Sequence, residues 1–245
     1  MPPKFNTDIL ILGAGPAALS LATGIVRQQY AAIMFDNCAY RNAKAAHMHN
    51  VIAHDHQSPS SFRSQARSSI LARYTGIEFK DTKIVHAEKL ESGFRVTDEK
   101  GEQYTGRKLV LAVGVTDEMP SLPGYGALWG TRIFHCLFCH GYEERHAPSA
   151  GILAIPDLAN AGMVLHIARM ALRLVPAVTV YTHSNAEFGD EVAKLTGTLK
   201  IGIENRRILN LELSPGESGV LVHLADGSQV SEGFLVRPFI HPIYF

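Results

Sequence analysis

The feature that most restricts this chain is a glycine pattern near its start. Gly13-x-Gly15-x-x-Ala18 lies between an apolar run from Thr7 to Leu12 and an alanine- and leucine-rich segment reaching about Gln29. A second apolar run, Ala31 to Phe35, follows and is closed by Asp36. Strand, glycine turn, helix and strand make a βαβ unit, because parallel strands need a crossover between them. The first glycine permits the tight turn, the second lets the backbone approach a pyrophosphate, and Ala18 lets the helix pack closely on the sheet. Pro16 lies inside the same turn. The helix start offers N–H groups and a positive dipole end to phosphates, while Asp36, about 20 residues on, can accept from a ribose hydroxyl. This context predicts a dinucleotide site. Asp36 is compatible with either FAD or NAD, and a bare structural glycine turn is the alternative.

Residues from about Tyr40 to Ser61 are rich in His, Asn, Ser and Pro and lack periodicity, which predicts a long loop over the surface or over a ligand. A helix is expected from about Ser61 to Tyr74, then strands Glu78 to Lys80 and Lys83 to Leu90. Phe94 to Thr97 and Gln103 to Thr105 read as a hairpin turning through Asp98 to Gly101. Lys108 to Gly114 is a further buried strand, and the Pro/Gly-rich stretch Met119 to Gly124 marks a boundary. A second α/β pattern follows: strand Gly151 to Ile155, helix about Leu158 to Leu174, strand Val178 to Thr182 and a short helix near Glu187 to Leu195. A last hairpin joins Ile208 to Leu213 with Gly219 to Leu224, closed around Asp226-Gly227. The halves are alike, so the expected fold is α/β, with two nucleotide-binding (Rossmann-like) units and inserted β-hairpins.

With 23 Lys+Arg against 23 Asp+Glu, the chain lacks the basic excess that would argue for nucleic acid or an anionic membrane. Apolar stretches such as Lys108 to Gly114 fall far short of the roughly 18 residues that cross a bilayer, so no membrane span is expected. The start of the chain runs directly into an apolar strand and reads as intracellular, hence cytoplasmic. Cys38, Cys136 and Cys139 are too few for a stapling framework.

His135-Cys136-Leu-Phe-Cys139-His140 is the second chemical signal. A CxxC pair can cycle between dithiol and disulfide, since the first thiolate, often at a helix start, has a lowered pKa and is reachable from outside. His140 could carry the proton that accompanies each electron pair. Haem attachment, a zinc site from His135, Cys136, Cys139 and His140, and two inert buried cysteines are the alternatives. Adjacent residues rarely all turn to one metal, and no metal site is expected. The cluster His47, His49, His54 and His56 reads first as a polar loop bonded to backbone, with ligand-lining and metal-binding readings behind it. Trp129 reads as a core anchor, Arg206-Arg207 as a solvated pair, and Cys38 as a small buried apolar residue.

Taken together, the nucleotide fingerprint, Leu111-Ala-Val-Gly114 closing a later strand and the CxxC beyond the Pro/Gly boundary resemble the low-molecular-weight thioredoxin reductase family. Arg41-Asn42, His47-Met48-His49, Leu122-Pro-Gly-Tyr125 with Trp129-Gly130, and His135 through Glu143 are similar to its fungal branch. That branch includes FAD-dependent dithiol oxidases of gliotoxin-type biosynthesis, which close a disulfide in a small metabolite and pass electrons through flavin to oxygen. The resemblance covers about residues 6 to 237. It implies FAD as cofactor, held by Gly13, Gly15, Pro16, Ala18, Asp36, Asn42, His49, Ala112 and Gly114, with a small-molecule dithiol as substrate. It implies that Cys139 faces the flavin and Cys136 exchanges with substrate. His140 stands where the family's reductases carry an acid, and a neutral imidazole near pH 7 is suited to deprotonating a substrate thiol. A homodimer is compatible with the family.

The sequence departs from the family in two places. Where NADPH-binding reductases have a glycine-rich turn, this chain reads Pro156-Asp157-Leu-Ala-Asn160-Ala-Gly162, and His183-Ser-Asn185 replaces a basic cluster. Pro156 has no N–H to donate and Asp157 adds negative charge, so NADPH use is not expected. The second departure is at the far end. The expected domains are 1–119, an FAD-binding domain; 120–232, an NADPH-domain-like unit carrying the CxxC; and 233–245, a shortened return to the FAD domain. On that reading the FAD domain is incomplete and the cofactor loses one wall of its site. The alternatives are an NADPH-dependent disulfide reductase and a binding or cyclase-like relative without FAD.

Overall fold

A computed structural model describes residues 5–155, 160–216 and 218–237. Two compact units divide the chain. Among the described residues, the first holds those up to His47 and Gln57–Thr116, and the second holds Met48–His56 and those from Asp117 onward.

In the first unit the expected βαβ forms from β1 (Thr7–Leu12), α1 (Pro16–Arg27) and β2 (Ala32–Asp36). A second helix, α2 (Pro59–Arg73), starts at Ser58, whose hydroxyl accepts from Ser61 N–H, and leads into β3 (Ile77–Asp81). An antiparallel meander follows: β4 (Ile84–Leu90), β5 (Gly93–Asp98) and β6 (Gln103–Leu111). The sheet order is β3-β2-β1-β6-β5-β4, with β1 parallel to both β2 and β6. Successive side chains of a strand face opposite ways. Ile11 and Met34 therefore pack with Ala18, Leu19, Ala22 and Val26 of α1, while Leu10, Leu12, Ile33 and Phe35 pack with Val96 and Tyr104. Burial on both faces is what a near-continuous apolar run such as Ile9 to Leu12 encodes.

The second unit opens with α3 (Tyr125–Leu128), β7 (Ile133–Phe134) and α4 (Leu137–His140). Next come β8 (Ala150–Leu153), α5 (Ala161–Ala171), β9 (Val178–Tyr181), α6 (Ala186–Thr196) and β10 (Ile201–Glu204). A three-stranded antiparallel sheet of β11 (Ile208–Leu213), β12 (Val220–Leu224) and β13 (Gln229–Glu232) precedes β14 (Phe234–Val236). The main sheet is parallel, in the order β10-β9-β8-β14-β7. Ile152, Val180, Phe234 and Val236 face the cluster built on α5 and α6; Leu153, Tyr181 and Leu235 face one that includes Tyr125, Trp129 and Leu211. Trp129 is the core anchor expected of it, stacked on Tyr125 with centroids 5.7 Å apart. Among the described residues no helix is long and apolar enough to cross a membrane.

Several boundaries differ from the sequence reading. Gln103–Leu111 is one strand rather than a hairpin arm and a separate strand, because Gly106 lets β6 pass close to β1: a Cβ there would lie 2.8 Å from Leu10 Cγ. Asp226-Gly227 closes the hairpin between β12 and β13, and the turn containing Gly216 closes the one before it. The short edge strand β10, in which Ile201 and Ile203 alternate with Gly202 and Glu204, was not among the expected strands. Phe234–Val236, expected to begin a return to the first unit, instead lies between β8 and β7, because three apolar residues buried on both faces fill the middle of that sheet. Pro156 and Asp157 and the segment 238–245, on which other expectations fell, lie outside the described residues.

Leu235 is fully buried in the interior of a parallel sheet. Leu235→Ala should destabilise the second unit by about 2–5 kcal/mol in urea unfolding. A loss of less than about 0.5 kcal/mol, the range of surface changes, would show that β14 does not complete this core.

Candidate functional site

In the first unit the nucleotide turn has the geometry its sequence calls for. Gly13 has φ of 103°, and a Cβ on it would meet the Ala112 carbonyl oxygen at 2.3 Å, so only glycine fits. Ala112, in turn, donates its N–H to Leu12 O at 2.8 Å, which fixes that carbonyl beside the turn. Gly15 is the N-cap of α1 and has open space where a side chain would be, with nothing within 4 Å. Pro16 occupies the first helical turn, no side chain caps it, and no acidic residue lies in it. That leaves N–H groups and the dipole for an anion. Ala18 is fully buried against the sheet, as a close helix-sheet contact requires. Gly114, at φ of 70°, lies in the irregular segment after β6.

Asp36 ends β2 and is buried. Its Oδ1 accepts from Cys38 N–H at 2.9 Å and its Oδ2 from the Tyr40 hydroxyl. A carboxylate retains further lone pairs, so the group is aimed rather than consumed. The Arg63 guanidinium lies 3.6 Å from the centroid of the Tyr40 ring and donates to Asn42 Oδ1 at 3.2 Å. Burial first, and then the bond to Asp36, pushes the Tyr40 phenol above its ordinary pKa, so it remains a donor. Tyr40 and Arg63 escaped the sequence reading, although Tyr40 adjoins the Arg41-Asn42 pair that was noted. Cys38 is exposed with φ of 56°, not the buried apolar residue expected: its N–H turns back to Asp36 and the side chain goes outward.

The second unit carries the cysteines. Cys136 and Cys139 form a disulfide with Cα atoms 5.3 Å apart. In this form neither sulfur is a thiolate ligand. Cys136 is the N-cap of α4, and its Sγ accepts from Cys139 N–H at 3.1 Å, a bond that would favour a thiolate there after reduction. Phe138 between them is 74% exposed, and the cysteines are half-buried. The His140 ring stacks on Phe134 with centroids 5.3 Å apart and meets His49 edge-on at 6.3 Å. Burial above all, together with His49 and against Glu143, holds the His140 pKa below the ordinary histidine value, so the ring is neutral near pH 7.

Residues 48–56 join this unit. His49, expected among the cofactor ligands, has its Nδ1 2.7 Å from the Cys139 carbonyl oxygen, and Asn50 Nδ2 donates to the Phe138 carbonyl at 2.8 Å. His49 Nε2 lies 3.0 Å from His56 Nδ1 and 3.2 Å from Glu143 Oε1. Glu144 pairs with Arg132 at 3.1 Å. Further along, Asn160 caps α5 by accepting from Met163 N–H at 2.9 Å, and Asn185 caps α6. His183 Nδ1 accepts from Ile208 N–H at 3.1 Å. Arg206 and Arg207 are both exposed, as a solvated pair would be, and Arg206 also pairs with Glu204 and Asp226.

A glycine turn on a parallel sheet, followed by a second such sheet carrying a CxxC disulfide, defines a nucleotide-dependent disulfide oxidoreductase. Residues 7–167 match the family described as pyridine nucleotide-disulphide oxidoreductase, and the chain belongs to it. It is 43% identical to thioredoxin reductase aclD of Aspergillus oryzae over 94% of this chain and 74% of that one. It is 42% identical to thioredoxin reductase tcpT of Claviceps purpurea over 94% and 72%. Among solved structures, an oxidoreductase from Agrobacterium tumefaciens superposes with a TM-score of 0.82 at 28% identity, over 94% of this chain and 74% of that one. The chain is an oxidoreductase, and FAD is the cofactor of its family. The open space at Gly15, the uncapped start of α1 and the buried carboxylate of Asp36 fit the adenosine and pyrophosphate part of that cofactor.

Gly15→Val should leave the protein folded, within about 1 kcal/mol of its original stability as an N-cap change allows, yet strip it of flavin. Gly13→Ala should unfold the unit instead, since its Cβ meets backbone. Normal flavin content in purified Gly15→Val, read from the visible spectrum, would refute this placement.

Proposed function

We propose that this protein is an FAD-dependent dithiol oxidase that closes a disulfide in a small sulfur metabolite, of the kind made in fungal secondary metabolism, with oxygen as final acceptor. The observation that carries the reading is the Cys136–Cys139 disulfide with a neutral imidazole, His140, directly after it. A substrate thiolate attacks Cys136 Sγ, forming a mixed disulfide and releasing Cys139 as a thiolate. The second substrate thiolate then attacks the substrate sulfur of that mixed bond, giving the substrate disulfide and the Cys136 thiolate. Two electrons have moved from substrate to the enzyme pair, and two thiol protons have left the substrate. His140 is the group in place to take the first of these protons. FAD, when bound, supplies the two-electron acceptor that restores the enzyme disulfide and passes the pair to oxygen. Gly13, Gly15, Pro16, Ala18, Asp36, Asn42, Ala112 and Gly114 are the residues we assign to holding it.

A dithiol electron source removes the need for NADPH, and the second unit supports that reading. Asn160 and Asn185 close the helix starts with their own side chains, His183 is committed to the backbone of β11, and Arg206 is neutralised by two carboxylates. With an exposed thiol at Cys38 and a cycling pair, the chain suits a reducing compartment such as the cytoplasm.

Anaerobic addition of a small dithiol should bleach the flavin bands and air should restore them, while NADPH alone should leave them unchanged. Cys136→Ser and Cys139→Ser should each lower dithiol turnover by a factor on the order of 10³ or more with flavin retained. His140→Asn should cost roughly 10² in kcat, the usual size of a proton-transfer contribution. Retained turnover in both serine variants, or bleaching by NADPH, would overturn the reading.

A further inference from the structure

The groups around His49 converge on one of its ring nitrogens. A carbonyl oxygen only accepts, so the 2.7 Å contact to Cys139 O fixes the proton of His49 on Nδ1. Nε2 then carries a lone pair, and it faces two further groups, His56 Nδ1 at 3.0 Å and Glu143 Oε1 at 3.2 Å. If His56 donates to that lone pair, the Glu143 carboxylate is left facing the same lone pair. If Nε2 is protonated, it pairs with the Glu143 carboxylate, and His56 Nδ1 faces the same position. A cation among the three satisfies all of them at once.

The geometry agrees. The three donor atoms all lie within 4.8 Å of one another. In a tetrahedral site with bonds of about 2.0–2.1 Å, neighbouring donors are separated by roughly 3.3 Å, close to the two contacts made by His49. Two imidazoles and one carboxylate are a donor set suited to zinc-class ions, with a fourth position left for water or ligand. A metal-bound imidazole characteristically donates its other N–H to a carbonyl or carboxylate, which orients the ring. His49 already does this with Cys139. The loop bearing both histidines is also closed on itself: Asn50 N–H donates to Asp55 Oδ1 at 2.7 Å and His56 N–H to Met48 O at 2.9 Å. Its two imidazoles therefore converge without the ion.

We propose that His49 Nε2, His56 Nδ1 and a Glu143 carboxylate oxygen form a binding site for a divalent zinc-class cation, which fastens the Met48–His56 loop to the segment that follows the cysteine pair. The cysteines are not ligands, so the site stands or falls independently of the dithiol reaction.

The test uses the untagged 245-residue chain with its disulfide oxidised, stripped of metal by a chelator that is then removed. Zn²⁺ titrated by calorimetry should bind with a stoichiometry of one. Co²⁺ should give visible absorption beyond the flavin bands without a sulfur charge-transfer band, and Zn²⁺ should displace it. His49→Ala, His56→Ala and Glu143→Gln should each weaken Zn²⁺ by at least about tenfold, the scale on which even outer partners of a metal act. His56 and Glu143 are exposed, so their variants should fold normally even if His49→Ala does not. Unchanged Zn²⁺ affinity in His56→Ala and Glu143→Gln would overturn the proposal. So would binding that disappears with His47→Ala or His54→Ala in place of these.

Discussion

A four-residue helix cannot satisfy its own carbonyls, and the arrangement around the cysteines depends on how that deficit is met. Around α4 the Cys136 carbonyl accepts from His140 N–H at 3.3 Å and the Leu137 carbonyl from Gly141 N–H at 2.8 Å. The carbonyls of Phe138 and Cys139 take their hydrogen bonds from Asn50 and His49. Buried or half-buried carbonyls are rarely left without partners. Through these two bonds nine residues of a long loop, Met48–His56, are held to the second unit, although the chain on either side of them belongs to the first. The bond from His49 also fixes the tautomer of that ring and brings it edge-on to His140, where it adds to burial in keeping the His140 imidazole neutral.

What could be read in advance was whatever rests on local backbone demands. The Gly13 turn, Pro16 at the start of α1, the small residue at Ala18 and the acid at the end of β2 follow from steric limits within about 20 residues. The same holds for the βαβ itself, whose apolar runs announce strands buried on both faces. The CxxC spacing likewise carried its own chemistry. These features form the larger share of the candidate site.

The remainder depends on residues far apart in sequence. Glu143 stands in the cysteine motif, and His49 and His56 in the histidine cluster, but nothing in either segment tells that they meet. The histidine loop reads as a polar stretch because no carboxylate occurs at a helical spacing within it, and the carboxylate comes from elsewhere. Tyr40 and Arg63 reach Asp36 and Asn42 across the start of α2, again without a local pattern. The strand pairing of Phe234–Val236 was missed for a related reason: three apolar residues could complete any sheet, and only the vacancy between β8 and β7 selects this one.

That placement bears on how the chain is made. The strand β14 lies between β8 and β7 yet is synthesised about 100 residues after β7 and about 80 after β8, following the whole β11-β12-β13 sheet. Until residues 234–236 leave the ribosome, the edges of β7 and β8 that flank β14 have no strand partner, and Phe234, Leu235 and Val236 are missing from the two cores of the second unit. Assembly of this unit in step with translation is therefore blocked near its centre. An emerging chain must hold a half-built parallel sheet, with bare edges of the kind that invite wrong pairing, until its middle strand arrives.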